Sequence, residues 1–234
     1  MEVIRRGEFN KKPLIIGTVS EETVQYIYSA WNRSVSSLTY EEVLFATYPG
    51  HFLEILPRYP PWNDTQDERD TMVKVSTDLV FACPTRNATR LIRSHGVSDV
   101  WMYVWDHALS FPGWGHVTEC EGRVCHGSEL IYLFHTEWAG SYTFTADEKV
   151  LSDLIMGFWT NFAQWGNPNT FDLEYGTSTL KNGDVTRNLK WPIYGQDGSW
   201  PSLRFKSPAS EIESLITKLK IVTFGTLLDM PLNI

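Results

Sequence analysis

An α/β fold is the class that this 234-residue sequence predicts, on three observations. Short apolar runs with β-branched or aromatic residues stand far apart, at 13–19 and 100–105, with the shorter Leu203-Arg204-Phe205 after them. Between them lie stretches with apolar residues at helical spacing, opened by Ser or Thr caps and closed by Gly or Pro. Apolar residues make up 42% of the chain and aromatic residues 14%, which is enough for a packed core. Strands mixed with helices in this way build a mostly parallel sheet with packing helices. Two or three strands are too few to close such a sheet with both faces covered, so an incomplete sheet is expected.

The run Pro13-Leu14-Ile15-Ile16-Gly17-Thr18-Val19 has the pattern of a strand buried on both faces, and Ser20-Glu21-Glu22 ends it. Thr39-Tyr40-Glu41-Glu42 reads as a capping box that starts a helix stopping at Pro49-Gly50. After a Pro/Trp loop from Arg58 to Asn63, residues 64–82 read as helix, with Met72, Val75, Leu79 and Val80 on one side. Residues 87–94 read as a further helix ending at Gly96. Val100-Trp101-Met102-Tyr103-Val104-Trp105 is the second strong strand, and its Trp101 and Trp105 share a face. A Gly/Pro-rich loop covers 111–127. Thr145-Ala146-Asp147-Glu148 is a capping box that opens the clearest helix. Val150, Leu151, Leu154, Ile155, Phe158, Trp159, Phe162 and Trp165 recur at helical spacing until Gly166-Asn167-Pro168-Asn169 stops them. Leu203-Arg204-Phe205 is a short late strand, and Ile212, Leu215, Ile216 and Leu219 suggest a last helix.

A net charge of −8 argues against a nucleic-acid partner, because phosphate binding needs clustered Lys and Arg. No apolar run approaches the ~20 residues of a membrane span. The start, Met1-Glu2-Val3-Ile4-Arg5-Arg6, lacks the apolar stretch of a secretory signal. Yet Asn32, Asn63 and Asn87 each head an N-x-[ST] sequon, a hint of a secretory lineage and of glycosylation. Cys120 and Cys125 are spaced to close a small disulfide loop, with three unrelated thiols in a cytosolic protein as the alternative; Cys83 is left odd. His107, His116, His126 and His135 lie 9 or 10 apart, wider than the ligand pairs of zinc sites, so neither a metal nor another cofactor is expected.

Two residues stand out chemically. Glu22 follows a buried strand, and sites in open α/β sheets form at the carboxyl ends of strands. His126 sits in the Gly-flanked segment Cys125-His126-Gly127-Ser128-Glu129-Leu130, just before the apolar run 131–134. An acid can orient a histidine that acts as general base, and the order acid then histidine is that of Ser…Asp/Glu…His hydrolases. A serine nucleophile would have to lie among the 21 residues before Glu22. No two glycines stand four apart, so the G-x-S-x-G elbow is absent, as is an HGGG-type oxyanion loop.

The segment from Gly7 to Glu22 resembles the type-B carboxylesterase/cholinesterase family around its acidic triad member. That family carries a strand, a Gly and an acidic pair whose second residue orients the histidine. Thr23 stands here where a Gly is usual. Residues 125–130 resemble the family's histidine loop. The segment from Phe158 to Asn169 resembles its helix-and-stop signature, and Lys190-Trp191-Pro192-Ile193-Tyr194 its late Trp-Pro segment. The Cys120/Cys125 loop is similar to that of members from social amoebae and related protists. The resemblance implies the C-terminal half of an α/β-hydrolase fold over residues 1–207, with a divergent tail over 208–234. It implies Glu22 and His126 as catalytic acid and base, a small-molecule carboxylic ester as substrate, and a secreted or secretory-pathway setting. Aromatic side chains near Trp105 and Phe111 are candidates to line the ester pocket. Domains of that family are more than twice this length, so the chain is expected to lack the part with the serine and oxyanion glycines and to be inactive alone. Two other readings fit the same residues: a non-catalytic cholinesterase-like adhesion domain, and a truncated product whose open sheet edge invites aggregation.

Overall fold

A computed structural model describes residues 2–62, 67–169 and 189–214. Among these residues four strands, one more than expected, form a single sheet in the order β1-β2-β3-β4. They are β1 (Leu14–Val19), β2 (Val100–Trp105), β3 (Pro201–Phe205) and β4 (Glu211–Ser214). β2 pairs in parallel with β1 from Leu14↔Val100 to Val19↔Trp105, and with β3 from Tyr103↔Leu203 to Trp105↔Phe205. β4 returns antiparallel to β3. Among the described residues the sheet is open and mostly parallel, with helices packed on it, as the sequence predicts. At Gly17 the partner strand leaves no room for a side chain, because a Cβ there would overlap the ring and carbonyl of Tyr103.

The helices are α1 (Glu2–Arg5), α2 (Val24–Ala30), α3 (Ser37–Thr47), α4 (Phe52–Ile55), α5 (Arg69–Ser76), α6 (Cys83–Ser94), α7 (Leu130–Leu133) and α8 (Ala146–Trp165). α8 is built as its sequence reads. The Thr145 hydroxyl accepts from the Glu148 N–H, the Glu148 carboxylate accepts from the Thr145 N–H, and Gly166 ends the helix at φ 69°. Its apolar side covers one face of the sheet: Phe158 and Trp159 pack on Trp191 and Phe205, and Phe162 meets Trp101 edge-on at 5.9 Å. On the opposite face, Ile92 of α6 joins Val100, Met102, Tyr194 and Trp200 around Leu14 and Ile16.

Several expectations need correction. The cap of α3 is Ser36, whose hydroxyl accepts from the Thr39 N–H at 3.2 Å. Thr39 instead pairs its hydroxyl with that of Ser36, so the box signature pointed one turn too late. The helices expected at 64–82 and 87–94 are one continuous run from Arg69 to Ser94, joined by the π-helical turn Thr77–Ala82. Pro84 has no N–H to give and crowds the preceding turn, and a π-helical turn relieves that conflict without ending the helix. Of the same expectation, residues 64–66 lie outside the described residues. β1 is packed on both faces, Ile15 and Val19 toward the main core and Leu14 and Ile16 toward the opposite cluster, yet Leu14 to Gly17 stay half-buried because among the described residues no strand pairs along its outer edge. The last helix fails at its start, where Ile212 lies in β4, paired with Leu203; residues 215–234 lie outside the described residues.

Candidate active site

The carboxyl ends of β1 and β2 open beside the 106–130 loop. Glu22 lies three residues past β1 and folds back, its Oε1 accepting the Val19 N–H at 2.9 Å. It is 4% exposed, and a carboxylate that buried needs donors for both oxygens. Its Oε2 meets Nδ1 of His126 at 2.5 Å, across 104 residues of sequence.

His126 owes its place to a tight loop. Cys120 and Cys125 are joined by a disulfide with Cα atoms 5.7 Å apart. Both sulfurs are buried against Val24 of α2 and Val73 of α5. The Ser128 N–H donates back to the Cys125 carbonyl at 3.0 Å, and Gly127 takes φ 86°. That is the turn chemistry that requires glycine at the third position. The imidazole ring is 52% exposed and lies between Phe81 of the π-helical turn, with ring centres 5.7 Å apart, and Tyr26 of α2, at 6.3 Å.

With Nδ1 donating to a carboxylate, a neutral imidazole keeps its lone pair on Nε2, and a negative charge stands ready for the imidazolium. Glu129 adds a second carboxyl nearby. Burial, reinforced by the negative charge of Glu22, pushes its pKa up, while its own backbone N–H and His126 pull the other way. Its Oε2 has no hydrogen-bond partner among the described residues.

A second histidine–carboxylate pair escaped the sequence reading. Nε2 of His107 lies 3.1 Å from Glu148, whose carboxylate also accepts from Tyr132, Ser110 and Thr145. The His107 ring is 17% exposed and packs edge-on against Tyr132 and Trp105. This enclosed cluster braces α7 against α8, whereas His126 faces outward.

Trp105 is fully buried in the main core and donates its indole N–H to the His107 carbonyl, and Phe111 stacks on Tyr142 at 4.7 Å. Trp101 packs under α8 against Phe162, while Trp105 packs on Tyr132, Phe205 and the loop residue His107. Among the described residues, no three His, Cys, Asp or Glu side chains are placed to hold a metal ion. None of the described helices is long and apolar enough to cross a membrane. Asn32 is exposed between α2 and α3, Asn87 is half-buried within α6, and Asn63 lies outside the described residues.

The sequence profile of the Carboxylesterase family matches residues 1–220. The chain is 32% identical over 171 residues to the cAMP-regulated D2 protein of Dictyostelium discoideum, an alignment covering 73% of this chain and 31% of that protein. It is 26% identical over 189 residues to pyrethroid hydrolase Ces2e of Rattus norvegicus, covering 75% of this chain and 32% of that one. In structure it is similar to a thermophilic PNB esterase, with a TM-score of 0.60 at 23% identity over 91% of this chain and 38% of that one. The chain thus spans about a third of the length of the curated relatives it matches.

Proposed function

The chain belongs to the carboxylesterase family, and from that premise we propose that Glu22 and His126 are the acid and general base of a serine carboxylic-ester hydrolase. The observation that carries this reading is the contact between Nδ1 of His126 and a buried carboxylate whose other oxygen is tied to the Val19 N–H. Such an acid is fixed in place and holds the imidazole in the tautomer that can accept a proton at Nε2. Matched relatives named pyrethroid hydrolase and acylcarnitine hydrolase support an ester as substrate class.

In this reaction a serine hydroxyl attacks the ester carbonyl while His126 takes its proton. His126 then returns that proton to the departing alkoxide, and the cycle repeats with water. The 234 residues hold neither G-x-S-x-G nor an HGGG loop. They therefore supply two of three triad members, and by themselves they do not form an acyl-enzyme. The Cys120–Cys125 disulfide and the exposed sequon at Asn32 favour an oxidising, secretory setting.

The test is ester turnover. The purified chain is expected to hydrolyse p-nitrophenyl acetate no faster than its His126→Ala variant. A transcript that continues these residues upstream into an in-frame G-x-S-x-G segment is expected to encode an active esterase. In that longer polypeptide, His126→Ala lowers kcat by about 10,000-fold. Full activity in that variant would sink the assignment.

A further inference from the structure

We propose that Arg123 and Glu21 are positioning residues for His126, forming an ionic clamp that sets the disulfide loop at the height where the imidazole meets Glu22. The inference rests on the reading of His126 as general base and extends it to the first acid of the Glu21-Glu22 pair and to an arginine that no motif marks.

The disulfide ties Cys120 to Cys125, but one covalent link leaves the intervening loop free to rock about the line between the two cysteines. Arg123 lies inside that loop and stops the rocking. Its Nε and Nη2 donate to Oε1 of Glu21 at 3.0 and 2.7 Å. The other oxygen of the same carboxylate accepts the backbone N–H of Val124 at 2.9 Å. Glu21 therefore grips two successive loop residues, and Glu22, its neighbour in sequence, grips the next but one. Two adjacent carboxylates just past the end of β1 fix the four-residue span 123–126 of the histidine loop at three points.

The outer edge of the guanidinium reaches further. Its Nη1 donates to Asp70 of α5 at 2.8 Å and to the Tyr28 hydroxyl of α2 at 3.2 Å, and that hydroxyl donates to Asp70 at 2.9 Å. The guanidinium carbon stands 5.3 Å from the centre of the Tyr28 ring. One cation so joins the β1–α2 turn, α2 and α5 to the histidine loop, a task that suits a planar fork and not an ammonium. It also neutralises Glu21, leaving Glu22 as the carboxylate that faces the imidazole.

Partly exposed ion pairs contribute little to global stability, and Asp70 is 59% exposed. Loss of the clamp is therefore expected to appear at His126 and hardly at all in the unfolding curve. The experiment is nitrogen-15 NMR of the histidine rings in the purified chain, where two-bond couplings report which ring nitrogen carries the proton. In the parent chain the neutral His126 ring is expected as the Nδ1–H tautomer, and Glu22→Gln is expected to abolish that preference. Arg123→Ala is expected to shift the tautomer ratio toward Nε2–H by about tenfold, the scale of one hydrogen bond to a charged group, with Arg123→Lys and Glu21→Gln giving smaller shifts in the same direction. An unchanged ratio in all three variants overturns the clamp and leaves the Glu22–His126 pair standing. A parent ratio that ignores Glu22→Gln overturns the pair, and the clamp with it. Should Arg123→Ala not fold, Arg123→Lys and Glu21→Gln decide the matter by the same readout.

Discussion

Asn169 holds the backbone of Trp191 on both its polar groups, its Oδ1 accepting the Trp191 N–H at 2.7 Å and its Nδ2 donating to the Trp191 carbonyl at 2.8 Å. The residue that ends the stop signal after α8 is thus the one that seats the Trp-Pro segment. The Trp191 indole N–H then donates to the Met102 carbonyl of β2 at 3.0 Å, so the chain after the stop is threaded back onto the middle of the sheet. Replacing Asn169 by Ala strands two backbone groups at the edge of the core. We expect a loss of about 1–3 kcal/mol, read as a lower urea midpoint with an unchanged slope. Asn169→Asp keeps the acceptor but not the donor, and is expected to fall short of the parent as well.

The Glu148 carboxylate sets a second expectation, on acid stability. Burial alone would raise its pKa, but Tyr132, the Thr145 N–H, Ser110 and His107 together hold it down at about 2. A folded pKa below the ordinary value of 4.5 means that the stabilisation is complete above pH 4.5 and drains away as pH falls toward 2. Its full size is on the order of 3 kcal/mol. Urea unfolding of the parent and of Glu148→Gln should differ most near neutral pH and converge as the solution is taken to pH 3 and below. A gap that stays constant across that range would contradict this account.

The Cys120–Cys125 bridge closes a short loop, for which chain entropy gives about 2 kcal/mol. Replacing both cysteines by Ala, which leaves no polar group in the site buried against Val24 and Val73, is expected to lower the thermal midpoint by several degrees. The same shift should appear on reducing the parent chain, since Cys83 is buried and its thiol pKa is pushed up to about 11, making it a poor thiolate.

Local chemistry made part of this molecule readable. β2 is six uncharged β-forming residues, and α8 carries its start and stop in its own sequence, so both fall where the sequence puts them. The π-helical turn did not show, because Pro84 reads as a breaker until the surrounding helices hold the run together. β4 did not show because the spacing of Ile212, Leu215, Ile216 and Leu219 mimics a helix, while pairing with β3 decides the outcome. At the candidate site, Glu22 and His126 could be found by position after a strand and by the Gly-flanked turn. Arg123 and its pairing with Glu21 could not, for the two meet across 102 residues and nothing in the sequence links them. The His107–Glu148 contact was hidden in the same way, behind a glutamate already accounted for as a cap.

The bond between the Val19 N–H and Glu22 has a consequence for anything that docks on this sheet. The Ser20 N–H donates to Trp105, so by alternation the N–H of Val19 points outward, with those of Ile15 and Gly17, along the open side of β1. An added strand, from this polypeptide or another, can take hydrogen bonds at Ile15 and Gly17. At Val19 the place is already filled by a side chain. To zip one step further the newcomer would have to evict the carboxylate, and the imidazole would lose its anchor in the same movement. The length of a strand seated on β1 is therefore written into the pair that aims His126.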